Sequence, residues 1–242
     1  MLRFKNKIGR TISIFVFCFL TLSAYSQISV EENYMGFFPP KDPDAPPRMH
    51  RYMFNIQHVN WFDAPAGVVV EPYSYGFDAF RFIELPNEKS TFSLAIGFGW
   101  SSYHFYNNAA VTTNIDLTTQ KEFTTLVPFP DSYQYKRNQL ALHYFDGAFQ
   151  LRFRTNKKNN IFLYPGFKFG YLFNNHTKTI DNDSKYKVYD MRGISHLRLG
   201  PTIHLGINRW AFTGFYSLTA LFTEGKGEQL SIFSAGISFN LF

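Results

Sequence analysis

His143-Tyr144-Phe145-Asp146 sets a histidine three residues from an acid, and Ser101 or Ser217 could stand beside them as a nucleophile. Such a set would suggest acyl hydrolysis, in which the base must reach both the nucleophile and the orienting acid. Successive side chains of a strand point to opposite faces. His143 and Asp146, an odd number of positions apart, would therefore face opposite ways, and no enzymatic activity is expected. His196 and His204 share a face, yet eight residues of strand separate them by roughly 27 Å, too far to chelate one metal. No phosphate-binding loop, dinucleotide fingerprint or zinc spacing occurs, so neither a metal nor another cofactor is expected.

A different set of polar residues is coherent. Asp146, Gln150, Arg152 and Arg154 share one parity, opposite Phe145, Phe149, Leu151 and Phe153. Lys168 is the single charge among the apolar rows of 161–173, and Arg192, His196, Arg198, Thr202 and His204 alternate with Leu197, Leu199, Ile203 and Leu205. Charges on one face and large apolar groups on the other describe strands with an ionic interior and a greasy exterior. Asp146, Gln150, Arg152, Lys168, Arg192 and Arg198 are thus expected to form a barrel-interior polar network. A paired network would plug the barrel, since unpaired buried charge is costly. The competing use of its cationic excess is anion passage through a narrow pore.

The elements that must position these groups are strands. Eight are expected, at 52–62, 74–85, 91–106, 138–154, 161–174, 188–205, 210–222 and 230–242. Most are longer than the usual strand of globular sheets and match what a tilted strand needs to cross a bilayer. In 91–106, Phe92, Leu94, Ile96, Phe98 and Trp100 alternate with Thr91, Ser93, Ala95, Gly97 and Gly99. Small inward residues suit eight strands, which enclose only enough room for side chains. Asp78, Arg81 and Glu84 do not share a parity, so the registers of the first two strands stay open, with a bulge as one solution. Short turns at 86–89, 155–159 and 206–209 alternate with longer segments at 63–73, 107–137, 175–187 and 223–229, the connectivity of an outer-membrane barrel.

The N-terminus reads as a secretory signal: Arg3, Lys5, Lys7 and Arg10, then an apolar run, then Ala24 and Ser26 before a cleavage site. The expected organisation is a signal peptide at 1–26, an extended periplasmic lead-in at 27–50 with five prolines, and a barrel at 51–242. Loss of those four basic residues takes Lys+Arg from 24 to 20 against 18 Asp+Glu, so the net charge drops from +6 to +2. A nucleic-acid partner loses its support. The single cysteine, Cys18, falls in the signal, leaving no disulfide to stabilise an exported chain. Aromatic residues make up 19% of the sequence, 29 of them Phe, which suits a lipid-facing surface with interfacial belts.

The stretches FSLAIGFGWSSYHFYNNA, FDGAFQLRFRT, GFKFGYLFNNHTK and FSAGISFNLF resemble the outer-membrane β-barrel proteins common in Bacteroidota. That resemblance implies an all-β, eight-stranded antiparallel transmembrane barrel, OmpX- or OmpA-like, inserted by the barrel-assembly machinery and surrounded by outer-membrane lipid. It brings no catalytic residue. Two departures are visible: Gly147-Ala148 follows Asp146 where apolar-Pro is the family habit, and Phe242 is out of phase with Phe239 and Leu241. The expected function lies in the loops, where binding residues concentrate. Phe123, Phe129, Tyr133, Tyr135 and Arg137, in the long segment 107–137, are the candidates for an extracellular partner, a glycan or a surface lipid. The alternatives are an accessory subunit of a secretion or gliding apparatus in the manner of PorT-like barrels, and a soluble periplasmic lipocalin-like barrel.

Overall fold

The structure, a computed structural model, describes residues 50–85, 91–115, 122–130, 132–155, 160–181 and 184–241. The expected signal peptide, the lead-in up to residue 49, the turn at 86–89, residues 156–159, Lys121 and Phe242 lie outside the described residues. The described residues fall in one compact unit, Pro46–Phe242.

The strands are β1 (Tyr52–Phe62), β2 (Tyr75–Leu85), β3 (Phe92–Tyr106), β4 (Ala109–Ile115), β5 (Glu122–Pro128), β6 (Tyr135–Arg154), β7 (Ile161–Asp181), β8 (Lys185–Tyr189), β9 (Leu197–Ile207), β10 (Trp210–Ala220) and β11 (Ser231–Leu241). Eight of them form a sheet in the order β6-β3-β2-β1-β11-β10-β9-β7, and β6 pairs with β7 to close the ring. Every pairing in the ring is antiparallel. Closure leaves no free edge, so each strand's backbone groups are satisfied by neighbours.

Two expectations about elements are corrected. The strand expected at 188–205 is divided. Asp190 (φ 52°) and Gly193 (φ 80°) take the left-handed conformation and turn the chain, so β8 pairs with the long extension of β7 while β9 starts only at Leu197. The segment expected as a single long loop at 107–137 contains the β4–β5 hairpin, paired from Ala109↔Pro128 to Ile115↔Glu122. The registers of β1 and β2 run without a shift. Asp78 and Glu84 point inward, and Arg81 is the residue on the outer face.

Following β1, β3 and β6 upward from the short-turn end reveals an inversion. On β3 the inner face runs Ser93, Ala95, Gly97, Gly99, Ser101 and then Tyr103 and Phe105, while the outer face changes from Phe98 and Trp100 to Ser102 and His104. On β6 the inner face goes from Arg152, Gln150 and Asp146 to Tyr144, Leu142 and Leu140, and the outer face from Phe149 and Phe145 to His143 and Gln139. On β1, Asn55 and Gln57 give way to Val59 and Trp61 inside, and Phe54 and Ile56 to His58 and Asn60 outside. The lower part is greasy outside and ionic inside. On β3 and β6 the upper part has the ordinary arrangement of a protein in water, whereas Phe62 and Leu218 stay outward at the tops of β1 and β10.

The interior is not lined by small groups alone. Phe80, Phe82, Tyr103, Tyr144, Phe162, Tyr164 and Phe215 are buried within it, and glycines opposite make the room. A Cβ at Gly97 would meet the Phe82 ring, and one at Gly170 would meet the Asp146 carboxylate and the Arg198 side chain.

Candidate functional site

Ion pairs occupy the lower interior in two layers. In the layer nearer the long-loop end, Arg198 Nη2 donates to both oxygens of Asp146 at 3.1 and 3.0 Å. Its guanidinium lies over Tyr144 at 3.8 Å and Tyr103 at 4.4 Å, and Ser101 donates to Asp146 from the other side. Lys168 Nζ bonds Asp78 Oδ2 at 3.3 Å and the Tyr103 hydroxyl at 3.0 Å. Gln57 and Asn55 of β1 also donate to Asp78. In the layer nearer the short turns, Arg152 Nη1 bonds Glu84 at 2.9 Å and the His50 carbonyl at 2.9 Å. Arg152 Nε and Nη2 both donate to Gln150 Oε1, and Arg154 pairs with Glu84. His204 and Gln150 meet between the layers at 3.4 Å.

Three carboxylates thus hold four buried cations. Between the layers lies a cavity of only about 10 Å3, room for about one water. Paired and aromatic side chains fill the lower interior.

Of the six residues expected in the network, Asp146, Lys168 and Arg198 meet in the first layer and Gln150 and Arg152 in the second. Arg192 joins neither, which corrects the expectation for it. Its side chain is 74% exposed and pairs with Glu122 at 2.6 Å, because it lies in the turn ahead of β9. His196 likewise stands outside, its ring beside Tyr171. Sequence reasoning missed Asn55, Gln57, Asp78 and Glu84. Their shared parities along β1 and β2 were the available signal, masked by Met53, Phe80 and Phe82 on the same inner face. His143 and Asp146 do lie on opposite faces. Asp146 bonds Ser101 in the interior, whereas the Ser102 hydroxyl lies 3.0 Å from His143 Nδ1 on the outside.

The long-loop end is closed by the β4–β5 hairpin. Leu126 and Ala109 are buried with Trp61, Phe105, Leu140, Ile194, Phe222 and Leu230 in one apolar cluster. Phe222 has the parity of outward Trp210 yet turns inward here, where the β10–β11 register shifts above Tyr216. Thr124 fastens the hairpin: its N–H donates to the Lys226 carbonyl at 2.7 Å and its hydroxyl to the Arg192 carbonyl at 3.1 Å. Thr125 bonds Glu228 at 2.8 Å.

Beside this cap, Phe129 lies 5.0 Å from both Tyr133 and Tyr135, ring centre to ring centre. Arg137 stacks over Tyr106 at 4.6 Å, and Tyr106 lies 4.9 Å from Tyr73. Partial burial, then the Glu71 carboxylate and Tyr73, push the Tyr135 phenol above its ordinary pKa. Four of the five loop candidates therefore share one rim. Phe123 sits apart on the hairpin, 39% exposed.

With a closed barrel, a greasy band and an ion-paired interior described, comparison with known proteins gives the family. The chain matches the outer membrane protein beta-barrel domain over residues 49–225. It belongs to that family. The protein is an outer-membrane barrel, and its band of Ile56, Phe98, Phe145, Phe169, Phe212 and Ile237 faces hydrocarbon. Among solved structures it resembles the crystal structure of Ail, the attachment invasion locus protein of Yersinia pestis. That likeness has 11% identity and a TM-score of 0.36 over 79% of this chain and 97% of that one, too distant to carry an argument. None of the curated proteins matches this chain.

Proposed function

We propose that this outer-membrane barrel is a non-enzymatic anchor of the compact OmpX- or OmpA-like kind common in Bacteroidota, and that it binds an extracellular partner with its long-loop end. The observation that carries this reading is the contrast between a filled interior and a built rim. A lumen closed by two ion-pair layers leaves a pore no path. The rim holds Phe129, Tyr133, Tyr135 and Arg137 together on a folded cap, and rigid aromatic groups beside an Arg are what recognition surfaces favour. The long connections belong outside the cell by the usual topology of such barrels. A lipocalin-like soluble barrel would need an apolar interior, and the one here is ionic.

Two measurements test the reading. On intact cells, Ser132→Cys should react with a membrane-impermeant maleimide, while Asn208→Cys in the β9–β10 turn should react only after permeabilisation. The opposite pattern would refute the orientation. Cells carrying Phe129→Ala, Tyr133→Ala and Tyr135→Ala together should lose retention on immobilised glycans or extracellular-matrix proteins that hold the wild type. Equal retention, or no retention of wild type by any of them, would count against the rim.

A further inference from the structure

Above the greasy band, three histidines from three neighbouring strands gather on the outer face. His104 (β3) and His143 (β6) have ring centres 5.8 Å apart, and His143 and His176 (β7) 5.7 Å. The Ser102 hydroxyl lies between the first two, 2.9 Å from His104 Nε2 and 3.0 Å from His143 Nδ1. Gln139 Nε2 donates to His104 Nδ1 at 2.5 Å. That chain fixes the neutral tautomers. Gln139 donates to His104, His104 donates to Ser102, and Ser102 donates to His143, so His143 Nε2 carries its hydrogen away from the chain.

The depth of this cluster is set by its neighbours. Trp100 lies parallel to His143 at 6.4 Å and Phe173 is 6.2 Å from it on the hydrocarbon side. Tyr75 stacks on His104 at 4.8 Å and Tyr189 lies 5.5 Å from His176. Aromatic rings of this kind mark headgroup depth.

Among the described residues, the side-chain charges that act on the rings are of one sign. Lys187 of β8 acts on both His143 and His176, Lys178 of β7 on His176, and Arg137 of β6 on His104. Lys178 in turn is opposed by Lys185, Arg137 and Lys187. Among the described acids, Glu71 and Asp181 act on Tyr73, Tyr133 and Tyr135, and Asp190 follows Tyr189, its N–H bonded to the Asn175 carbonyl at 3.2 Å. Among the described residues no set of His, Cys, Asp or Glu is arranged to hold a metal ion. The missing complement is an anion.

We propose that this histidine and lysine face binds the phosphoryl group of a lipid headgroup in the adjoining leaflet, and that binding is coupled to proton uptake. A phosphate supplies the countercharge that lets the rings ionise, so each proton taken up strengthens the contact and each phosphoryl contact favours the proton. Affinity therefore rises as pH falls. Lys187 and Lys178 supply the part of the attraction that does not depend on pH. The inference rests on membrane placement alone and stands whether or not the aromatic rim binds anything.

The test uses the protein in nanodiscs of phosphatidylcholine, with or without phosphatidic acid as the probe. Lipid retained by the barrel is read by native mass spectrometry and ring protonation by histidine NMR. At about pH 5.5, phosphatidic acid should be retained roughly tenfold over phosphatidylcholine, and the preference should shrink near pH 7.5. His143→Gln with His176→Gln should remove the pH dependence, and Lys187→Gln should weaken retention at both pH values. Unchanged heat-modifiable migration on gels verifies that each variant is folded. No preference at either pH, or an unaltered pH dependence in the histidine variant, would overturn the proposal. Inorganic phosphate titrating the rings equally well in phosphatidylcholine discs would also overturn it, by assigning the site to free phosphate.

Discussion

The lower barrel and its long-loop end are built from the same strands with opposite chemistry. Below Trp100 and Phe145, Phe side chains point out, and Arg152, Lys168, Asp146 and Arg198 point in. Above them, Tyr103, Phe105, Leu140 and Leu142 point in, and Ser102, His104 and His143 point out. The period of two does not change; the solvent does. A strand in hydrocarbon gains nothing from turning its apolar face inward, so its polar groups go to the lumen and must pair there. A strand in water recovers the hydrophobic effect and buries its apolar face. The height at which the faces exchange character marks the membrane surface, and it lies just beneath the three-histidine cluster.

Mutations can break this comparison in graded ways. The largest loss is expected in the lower interior. Asp146→Ala leaves Arg198 buried beside Lys168 and should cost about 3–5 kcal/mol, read as urea unfolding from lipid vesicles. Pairing it with Arg198→Met should recover most of that loss. Next come arginines placed on the two outer faces. Ile237→Arg, in the middle of β11 among lipid, should cost about 2–4 kcal/mol, whereas Val127→Arg on the exposed hairpin should stay within experimental scatter. Equal effects at the two sites would erase the distinction between the regions.

The cap should respond locally. Leu126→Ala removes an apolar side chain from the upper cluster and should cost about 2 kcal/mol, the low end for such truncations because a hairpin can settle. The expected readout is faster proteolysis within 109–128 with the barrel left intact.

The legible parts of the fold were those where one solvent acts along a whole strand. In β11, Phe233, Ala235, Ile237 and Phe239 alternate with Ser234, Gly236 and Ser238, and the lower half of β6 alternates as cleanly. β1 was harder to read. Its inner face runs Met53, Asn55, Gln57, Val59 and Trp61, polar in the middle and apolar above, and averaging over that change hides the parity. The β4–β5 hairpin was invisible for another reason. AAVTTNI and EFTTLVP alternate weakly, and their strand character comes from docking Leu126 into the upper apolar cluster and Thr124 onto segments more than sixty residues away. Arg192 was misplaced because nothing in the local alternation of 188–205 signals the turn that Asp190 and Gly193 make. The three-histidine cluster draws on β3, β6 and β7 together, so no single stretch could reveal it.

The central claim is which face meets hydrocarbon, and the three tryptophans of the sequence report on it. Trp210 and Trp100 stand on the outer face at 61% and 37% exposure, while Trp61 is buried at 5%. In single-tryptophan proteins, with the other two changed to Phe, brominated lipids should quench Trp100 and Trp210 strongly and leave Trp61 bright. A quenched Trp61 beside unquenched Trp100 and Trp210 would mean that the apolar rows face inward, and the account would be wrong.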